Sequence, residues 1–271
     1  MEVVFYKGEF TPIDNVAISS SNRAFNYGDG FFETVKIINS KLFNFSSHRR
    51  RINLALSILK IQDNYTTRFL KEKAYKLIEI NNITNGSIKI HISRSGIGRY
   101  LPESNQTELF INTIDASAYR KNNAISLCFY ENEYKSSSPL SNIKSVNSLV
   151  SVLASIHSNE SNYDNAILLN NSGNIIEITN ANIFIVKNRE IFTPPISEGC
   201  VDGTMRRWTC NQIDVFEKKI SKNDILYANE VFVTNASSGF TAVKTIEKIT
   251  FSSFKTTNVL QKKLINSSLG L

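Results

Sequence analysis

Apolar positions along this chain recur with two different periods, and each switch of period predicts an element. Residues 1–10 read as a strand and a turn around Lys7-Gly8-Glu9. Residues 30–38 form an apolar, β-branched run, and 41–45 a second arm after the Asn39-Ser40 turn. Helical spacing takes over at Arg51, where Ile52, Leu54, Leu56 and Leu59 follow one another. A second helix is predicted over 66–80, with Phe69, Ala74 and Leu77 inward. Strand character returns at 87–93 and 108–113.

The stretch 115–123 is polar and without strong periodicity, and the pattern restarts beyond it. It predicts a strand at 124–130 and an amphipathic helix carrying Val146, Leu149, Val150, Leu153 and Ile156, whose first turn begins just after Lys144. Hairpin arms are expected at 166–169 and 175–178, strands at 183–186 and 190–192, a helix over 204–215 and a late strand at 230–234. These elements give an α/β (α+β) chain of two domains: a small N-terminal α/β domain over 1–114, a linker over 115–123 and a larger, β-rich C-terminal domain over 124–271. A length of 271 residues suits two modest cores.

Composition narrows the classes. With 41% hydrophobic and 20% charged residues and only 5 Pro, the chain is expected to fold as a globular protein. No run reaches the roughly 18 to 20 apolar residues of a bilayer span, and the first residues lack the order of a signal peptide, so a cytoplasmic protein is expected. Cys128, Cys200 and Cys210 form no CxxC pair, and His48, His91 and His157 lie far apart, so neither a disulfide framework nor a local metal site is indicated. The net charge of +7 is scattered, with clusters only at Arg49-Arg50-Arg51 and Arg206-Arg207 and no interleaved aromatics. That favours small anions over nucleic acid as partners.

Four places carry candidate chemistry. Lys144 precedes a predicted helix, where burial beside an N-terminus disfavours the ammonium form and prepares a nucleophilic amine. A solvated surface lysine fits the same position. Glu177 lies among Ile175, Ile176 and Ile178, so it either faces solvent on an alternating strand or meets a buried cation. Arg51 opens a predicted helix, a common place for a phosphate. The turn Glu198-Gly199-Cys200-Val201-Asp202-Gly203 runs into a helix at Thr204 and Met205, whose amides suit phosphate oxygens.

In order along the chain, these segments resemble the class IV aminotransferases, the fold-type IV pyridoxal 5'-phosphate (PLP) enzymes. Arg23-Ala24-Phe25-Asn26-Tyr27-Gly28-Asp29-Gly30-Phe31-Phe32-Glu33-Thr34 resembles the family's N-terminal signature, and His48 with Arg51 its His-x-x-Arg. Ile143-Lys144 with Asn147 resembles the cofactor-lysine segment. Glu177 with Asn182-Ile183-Phe184, Thr193-Pro194-Pro195, Gly203-Thr204-Met205-Arg206 and Glu230 to Ala236 follow in the family's order.

The resemblance implies two α/β domains with the cofactor between them, commonly in a homodimer. It implies that Lys144 is the catalytic residue and binds the cofactor aldehyde, that Glu177 contacts the pyridine nitrogen, and that Arg51 and the amides of Thr204 and Met205 hold the phosphate. Substrate contacts are implied for Arg99, in a loop Arg94-Ser95-Gly96-Ile97-Gly98-Arg99-Tyr100, and for Tyr27 and Ala236. Met205, Asn147 and Asn235-Ala236 lean toward 4-amino-4-deoxychorismate lyase of the folate pathway, which releases pyruvate and 4-aminobenzoate. The Lys144 segment also resembles D-amino-acid aminotransferases, and Leu149 stands where branched-chain enzymes carry tyrosine. A basic nucleic-acid-binding protein without chemistry is the alternative from another class.

Overall fold

The computed structural model describes residues 1–270 and divides into two compact units, Met1–Ala118 with Ile143–Asn147, and Tyr119–Asn142 with Ser148–Leu271. The first unit begins with the hairpin β1 (Val3–Tyr6) and β2 (Glu9–Pro12), a short helix α1 (Arg23–Tyr27), and the strands β3 (Gly30–Ile38) and β4 (Lys41–Leu42). Helices α2 (Phe45–Leu59) and α3 (Thr67–Ile80) follow, then β5 (Gly86–Arg94) and β6 (Thr107–Asp115). The six strands form one sheet in the order β2-β1-β6-β5-β3-β4.

Period-two alternation decides which face of this sheet is core. Phe31, Val35, Ile88, Ile90, Ile92, Leu109 and Ile111 are buried with Ile52, Ala55 and Leu56 of α2 and Leu70, Ala74 and Leu77 of α3. Each such aliphatic side chain contributes roughly 1.5–3 kcal/mol by leaving water. The opposite face, with Phe32, Thr34, Lys89, His91 and Phe110, is only half-buried.

Two helix boundaries differ from those predicted for this region. The arm at 41–45 is a two-residue strand, because Asn44 adopts a left-handed conformation (φ 53°) and releases the chain into α2 at Phe45. Arg51 therefore lies in mid-helix, where it has no free helix-terminal amides beside it. The helix was hidden because its first two turns, Phe45 to Arg50, are polar apart from the phenyl ring.

The segment 143–147 is the second correction. Its helix does not begin after Lys144. The chain here is extended and pairs with the outer edge of β3: the Phe32 N–H donates to the Lys144 carbonyl (3.0 Å), the Val146 N–H donates to the Gly30 carbonyl (3.2 Å), and Phe31 faces Ser145 in antiparallel register. Gly28, at φ 65°, makes room, since a Cβ there would lie 3.1 Å from Cβ of Asn147. Two backbone bonds to β3 satisfy groups that an earlier helix start would leave open.

The second unit contains β7 (Ile125–Lys135), α4 (Pro139–Asn142), α5 (Leu149–Glu160), β8 (Asn165–Asn170), β9 (Ile175–Ile178), β10 (Ala181–Lys187) and β11 (Glu190–Thr193). It continues with α6 (Thr204–Gln212), β12 (Phe216–Glu217), α7 (Lys222–Leu226), β13 (Glu230–Asn235), β14 (Gly239–Ile246), β15 (Ile249–Thr250) and α8 (Lys255–Leu269). Their nine-stranded sheet runs β12-β11-β10-β13-β14-β7-β8-β9, with β15 on β14 and β9 also on β10. The parallel β7–β8 pair is connected through α5, as parallel neighbours require. The nearly continuous apolar runs of β8, β9 and β10 are buried on both faces.

Helix α5 turns a different side inward than its apolar residues suggested. Ala154 and Ser158 are buried, whereas Leu149, Leu153 and Ile156 are exposed. The closing β14 and α8 had no counterpart in the sequence reading. Glu230 starts α8 by accepting the amide hydrogens of Thr256 (3.0 Å) and Thr257 (2.7 Å).

Candidate active site

Lys144 is carried on the edge segment opposite Phe32, so its side chain lies over the half-buried face of the first unit's sheet. Its Nζ is 3.5 Å from the centroid of the Phe32 ring and 3.4 Å from Oγ1 of Thr34, two residues along the same strand face. Among the described residues no carboxylate is within salt-bridge distance of it. Burial, reinforced by the Arg51 and Lys89 charges and opposed by Glu33, lowers its pKa from 10.5 to about 7. Near neutral pH much of this amine is therefore unprotonated and nucleophilic.

The core face of the same strand holds a charge network that the sequence did not disclose. Glu33 is fully buried and accepts Nε–H (2.7 Å) and Nη2–H (2.7 Å) of Arg51 on its two oxygens. Nδ1 of His48 is 2.6 Å from the same carboxylate. Burial opposes the carboxylate charge, but Arg51 and His48 outweigh it and hold the Glu33 pKa at about 2. Burial lowers the His48 pKa more than Glu33 raises it, so the ring is neutral and donates Nδ1–H. His48 and Arg51, three apart on α2, share the helix face that meets Glu33.

Tyr27 and Arg99 come together in the first unit. Arg23 binds Asp29 (2.8 Å) and donates Nη1–H to the Gly98 and Arg99 carbonyls (2.8 and 2.7 Å). Its guanidinium covers the Tyr27 ring, which packs 5.8 Å from that of Tyr100. The loop is thus tied to α1, with the Arg99 side chain exposed.

In the second unit Glu177, at 5% exposure, meets a cation, as its apolar neighbours left open, but that cation is only half-buried. The cation is Lys135, whose Nζ donates to Oε1, and the Val201 amide donates to Oε2 (2.9 Å). Lys135 ends β7 after the exposed stretch 131–134, so no sequence signal announced it. Asn182, opposite Glu177 in the β9–β10 register, donates Nδ2–H to the Val201 carbonyl (2.9 Å). Val201 is thereby fixed on both of its backbone groups.

The chain then reaches α6 through Gly203, where a Cβ would lie 1.8 Å from Oδ1 of Asn182. Thr204 and Met205 are its first two residues and both are buried. Their amides belong to a helical first turn, which lacks internal acceptors, and this suits phosphate oxygens. Ala236 lies in the turn after β13, where Asn235 Oδ1 accepts the Ser237 and Ser238 amides and the Ala236 carbonyl accepts the Tyr119 hydroxyl (2.7 Å). Among the described residues no group of three or more His, Cys, Asp or Glu side chains could hold a metal, and no helix is long and apolar enough to cross a membrane.

A lysine amine that burial leaves substantially neutral near pH 7 is chemically suited to condense with a carbonyl. Residues 30–246 match the model of the amino-transferase class IV family, and the chain belongs to that family. It is a class IV PLP enzyme, so the alternative of a catalytically silent basic protein falls away. The chain is 24% identical over 259 residues to D-alanine aminotransferase of Bacillus licheniformis, covering 92% of this chain and 90% of the relative. It is 29% identical over 265 residues to aminodeoxychorismate lyase of Vibrio harveyi, covering 90% and 94%. The fold is that of the branched-chain aminotransferase of the thermophilic archaeon Thermoproteus uzoniensis, solved with norvaline: TM-score 0.92, 22% identity, covering 99% of this chain and 95% of that one.

Proposed function

We propose that this protein is a 4-amino-4-deoxychorismate lyase that binds PLP on Lys144. The observation that carries the PLP assignment is the Lys144 amine, brought to about pKa 7 with no carboxylate partner among the described residues. Glu177, kept in place by Lys135 and the Val201 amide, is assigned to the pyridine nitrogen. The amides of Thr204 and Met205 are assigned to the phosphate. Arg51, its guanidinium oriented by Glu33, is assigned to the same group. The tight fit of Gly203 against Asn182 supports this, because it holds the start of α6 in one position. Tyr27, Arg99 and Ala236 are assigned to the substrate.

Bound PLP supplies an electron sink for the carbon next to the substrate amine. Once the substrate amine has replaced it on PLP, the released Lys144 amine would be free to take the proton from that carbon, with Phe32 and Thr34 orienting it for the transfer. Breaking the C–O bond to the enolpyruvyl group would then make the ring aromatic, giving 4-aminobenzoate, and the departing enolate would take up the proton held on Lys144 to become pyruvate. The likeness to the Vibrio harveyi lyase supports this choice of reaction. A homodimer belongs to the same reading, supported by the exposed apolar stripe Leu149, Val152, Leu153 and Ile156 on α5.

The second reading, D-amino-acid aminotransfer, is favoured by the likeness to D-alanine aminotransferases. Borohydride treatment of the coloured, PLP-loaded protein is expected to bleach it and to add the cofactor mass to the peptide holding Lys144. Incubation with chorismate, glutamine and an amination enzyme is expected to yield pyruvate and 4-aminobenzoate. Absence of both products, with brisk glutamate formation from D-alanine and 2-oxoglutarate, overturns the lyase in favour of the aminotransferase.

A further inference from the structure

Residues 119–122 run beside the turn between β13 and β14, and both segments belong to the second unit. The Tyr119 hydroxyl donates to the Ala236 carbonyl (2.7 Å). Asn122 Nδ2 shares its hydrogens among the carbonyls of Ser238 (2.9 Å) and Phe240 (2.8 Å) and Oγ1 of Thr241 (3.1 Å). From α8, Gln261 Nε2 donates to the carbonyls of Arg120 and Ser238, while its Oε1 accepts the Phe240 amide (2.8 Å). Gly239, at φ 72°, lets this helix approach, since a Cβ there would lie 2.6 Å from Oε1 of Gln261. The end of the polar stretch that reads as a linker in sequence is thus a strap along one side of the turn.

The amides of the turn are divided unequally. Those of Ser237 (3.0 Å) and Ser238 (2.9 Å) donate to Oδ1 of Asn235, whereas the Ala236 N–H meets no acceptor among the described residues. The Ala236–Ser237 peptide is pinned at both ends, its carbonyl by Tyr119 and its N–H by Asn235. Asn235 in turn is fixed by its register with Gly239 at the end of β13. Ala236 therefore has little freedom to rotate, and its N–H keeps one direction. A half-buried amide without an internal acceptor, held by its neighbours on both sides, is suited to an anionic oxygen. Burial pushes the Tyr119 hydroxyl above its ordinary pKa, so it stays a neutral donor at any working pH.

We propose that Tyr119 is a positioning residue of the active site: by holding the Ala236 carbonyl it aims the Ala236 N–H at an anionic oxygen of the bound ligand, a substrate carboxylate or the cofactor phosphate. This rests on the reading that Ala236 meets the ligand. Tyr119 acts through Ala236 and takes no part in proton transfer. Asn122 and Gln261 hold the return arm of the turn, so removing the hydroxyl releases the tip alone.

Tyr119→Phe deletes that hydroxyl and keeps the ring. The PLP-loaded variant is compared with the wild type for KM and kcat on purified 4-amino-4-deoxychorismate, and for PLP dissociation by loss of visible absorbance on dilution. A rise of about three- to tenfold, the net scale of one hydrogen bond, is expected in KM if the oxygen is the substrate's, or in the PLP dissociation constant if it is the phosphate's. In either case kcat of the loaded enzyme stays within about twofold. Glu230→Ala is the control for lost stability, because none of its contacts is in the turn; it should melt lower and keep both affinities. Unchanged KM and PLP affinity in Tyr119→Phe, or equal shifts in Glu230→Ala, overturn the proposal. Ala236→Pro removes the N–H itself. Weaker binding there with none in Tyr119→Phe sinks the positioning role alone, and full affinity in both sinks the reading of Ala236 as well. A wild type that turns over D-alanine and 2-oxoglutarate instead loses the lyase reading, and the same comparison is then made on those substrates.

Discussion

Replacing Glu33 with Gln isolates the charge that the first unit buries completely. The carboxyl is held at about pKa 2 against 4.5 for an unperturbed glutamate. At roughly 1.4 kcal/mol per unit, its preference for the folded state is on the order of 3 kcal/mol. Because the folded pKa is the lower one, this stabilisation is fully present above pH 4.5 and is lost as the pH falls toward 2. The amide carries no charge at any pH and leaves the Arg51 guanidinium buried opposite a neutral group, a situation that costs about 3–5 kcal/mol. For a chain of this size the melting temperature falls by roughly 2–4 °C per kcal/mol, so a drop of about 6–12 °C or more is expected at about pH 7.

The assay is a set of thermal melts of both proteins from acid to mildly alkaline pH. The wild type should lose more stability below pH 4.5 than the variant, which keeps the acid sensitivity of other carboxylates such as Asp224, and the two curves should converge in acid. Glu33 also raises the Lys144 pKa, so acylation of Lys144 should titrate lower in the variant. A variant melting within about 2 °C of the wild type, with the same acid limb, would refute the assignment of this ion pair as a major determinant of folding.

Other expectations follow from the same geometry. Lys144 has a folded pKa below its unfolded value, so the folded state gains stability as pH rises from about 7 toward 10.5 and is penalised below 7. Lys144→Met should therefore melt higher than wild type at about pH 6 while losing all cofactor attachment. Gly203→Ala should lower the melting temperature by the equivalent of about 1–3 kcal/mol and weaken PLP retention, since Oδ1 of Asn182 occupies the space of the new methyl; wild-type PLP affinity in that variant would remove the packing argument. Glu230→Ala strips the amides of Thr256 and Thr257 and the Thr257 hydroxyl of their acceptor. A loss of about 1–3 kcal/mol in denaturant titration is expected, and none would mean that water replaces the carboxylate.

The sequence was most legible where one period dominates a segment. Strand β3 occupies 30–38 as its β-branched run predicts, α3 starts after the Thr66 cap, and the arms β8 and β9 flank their Asn-rich turn. Boundaries failed where a side chain's partner is remote. Nothing near Arg51 says that Glu33 waits on a neighbouring strand, and the apolar residues after Lys144 suggest a longer helix than the β3 edge allows. Glu177 shows the same limit, since its flanking isoleucines leave room for a buried cation but cannot name Lys135. Lys89 and His91 look like ordinary outward positions of an alternating strand. Only their cross-strand pairing with Thr34 and Phe32 gathers them around one ring with Lys144.

The pairing of residues 143–147 with β3 also sets when the amine becomes reactive. Lys144 and its hydrogen-bond partner Thr34 are separated by 110 positions, and closing so long a stretch of chain is among the slower steps of assembly. Until that edge docks, the lysine is a hydrated ammonium near pKa 10.5, with only a small neutral fraction at pH 7. The substantially neutral amine thus arrives only with the finished architecture, because burial against β3 is the main cause of its lowered pKa.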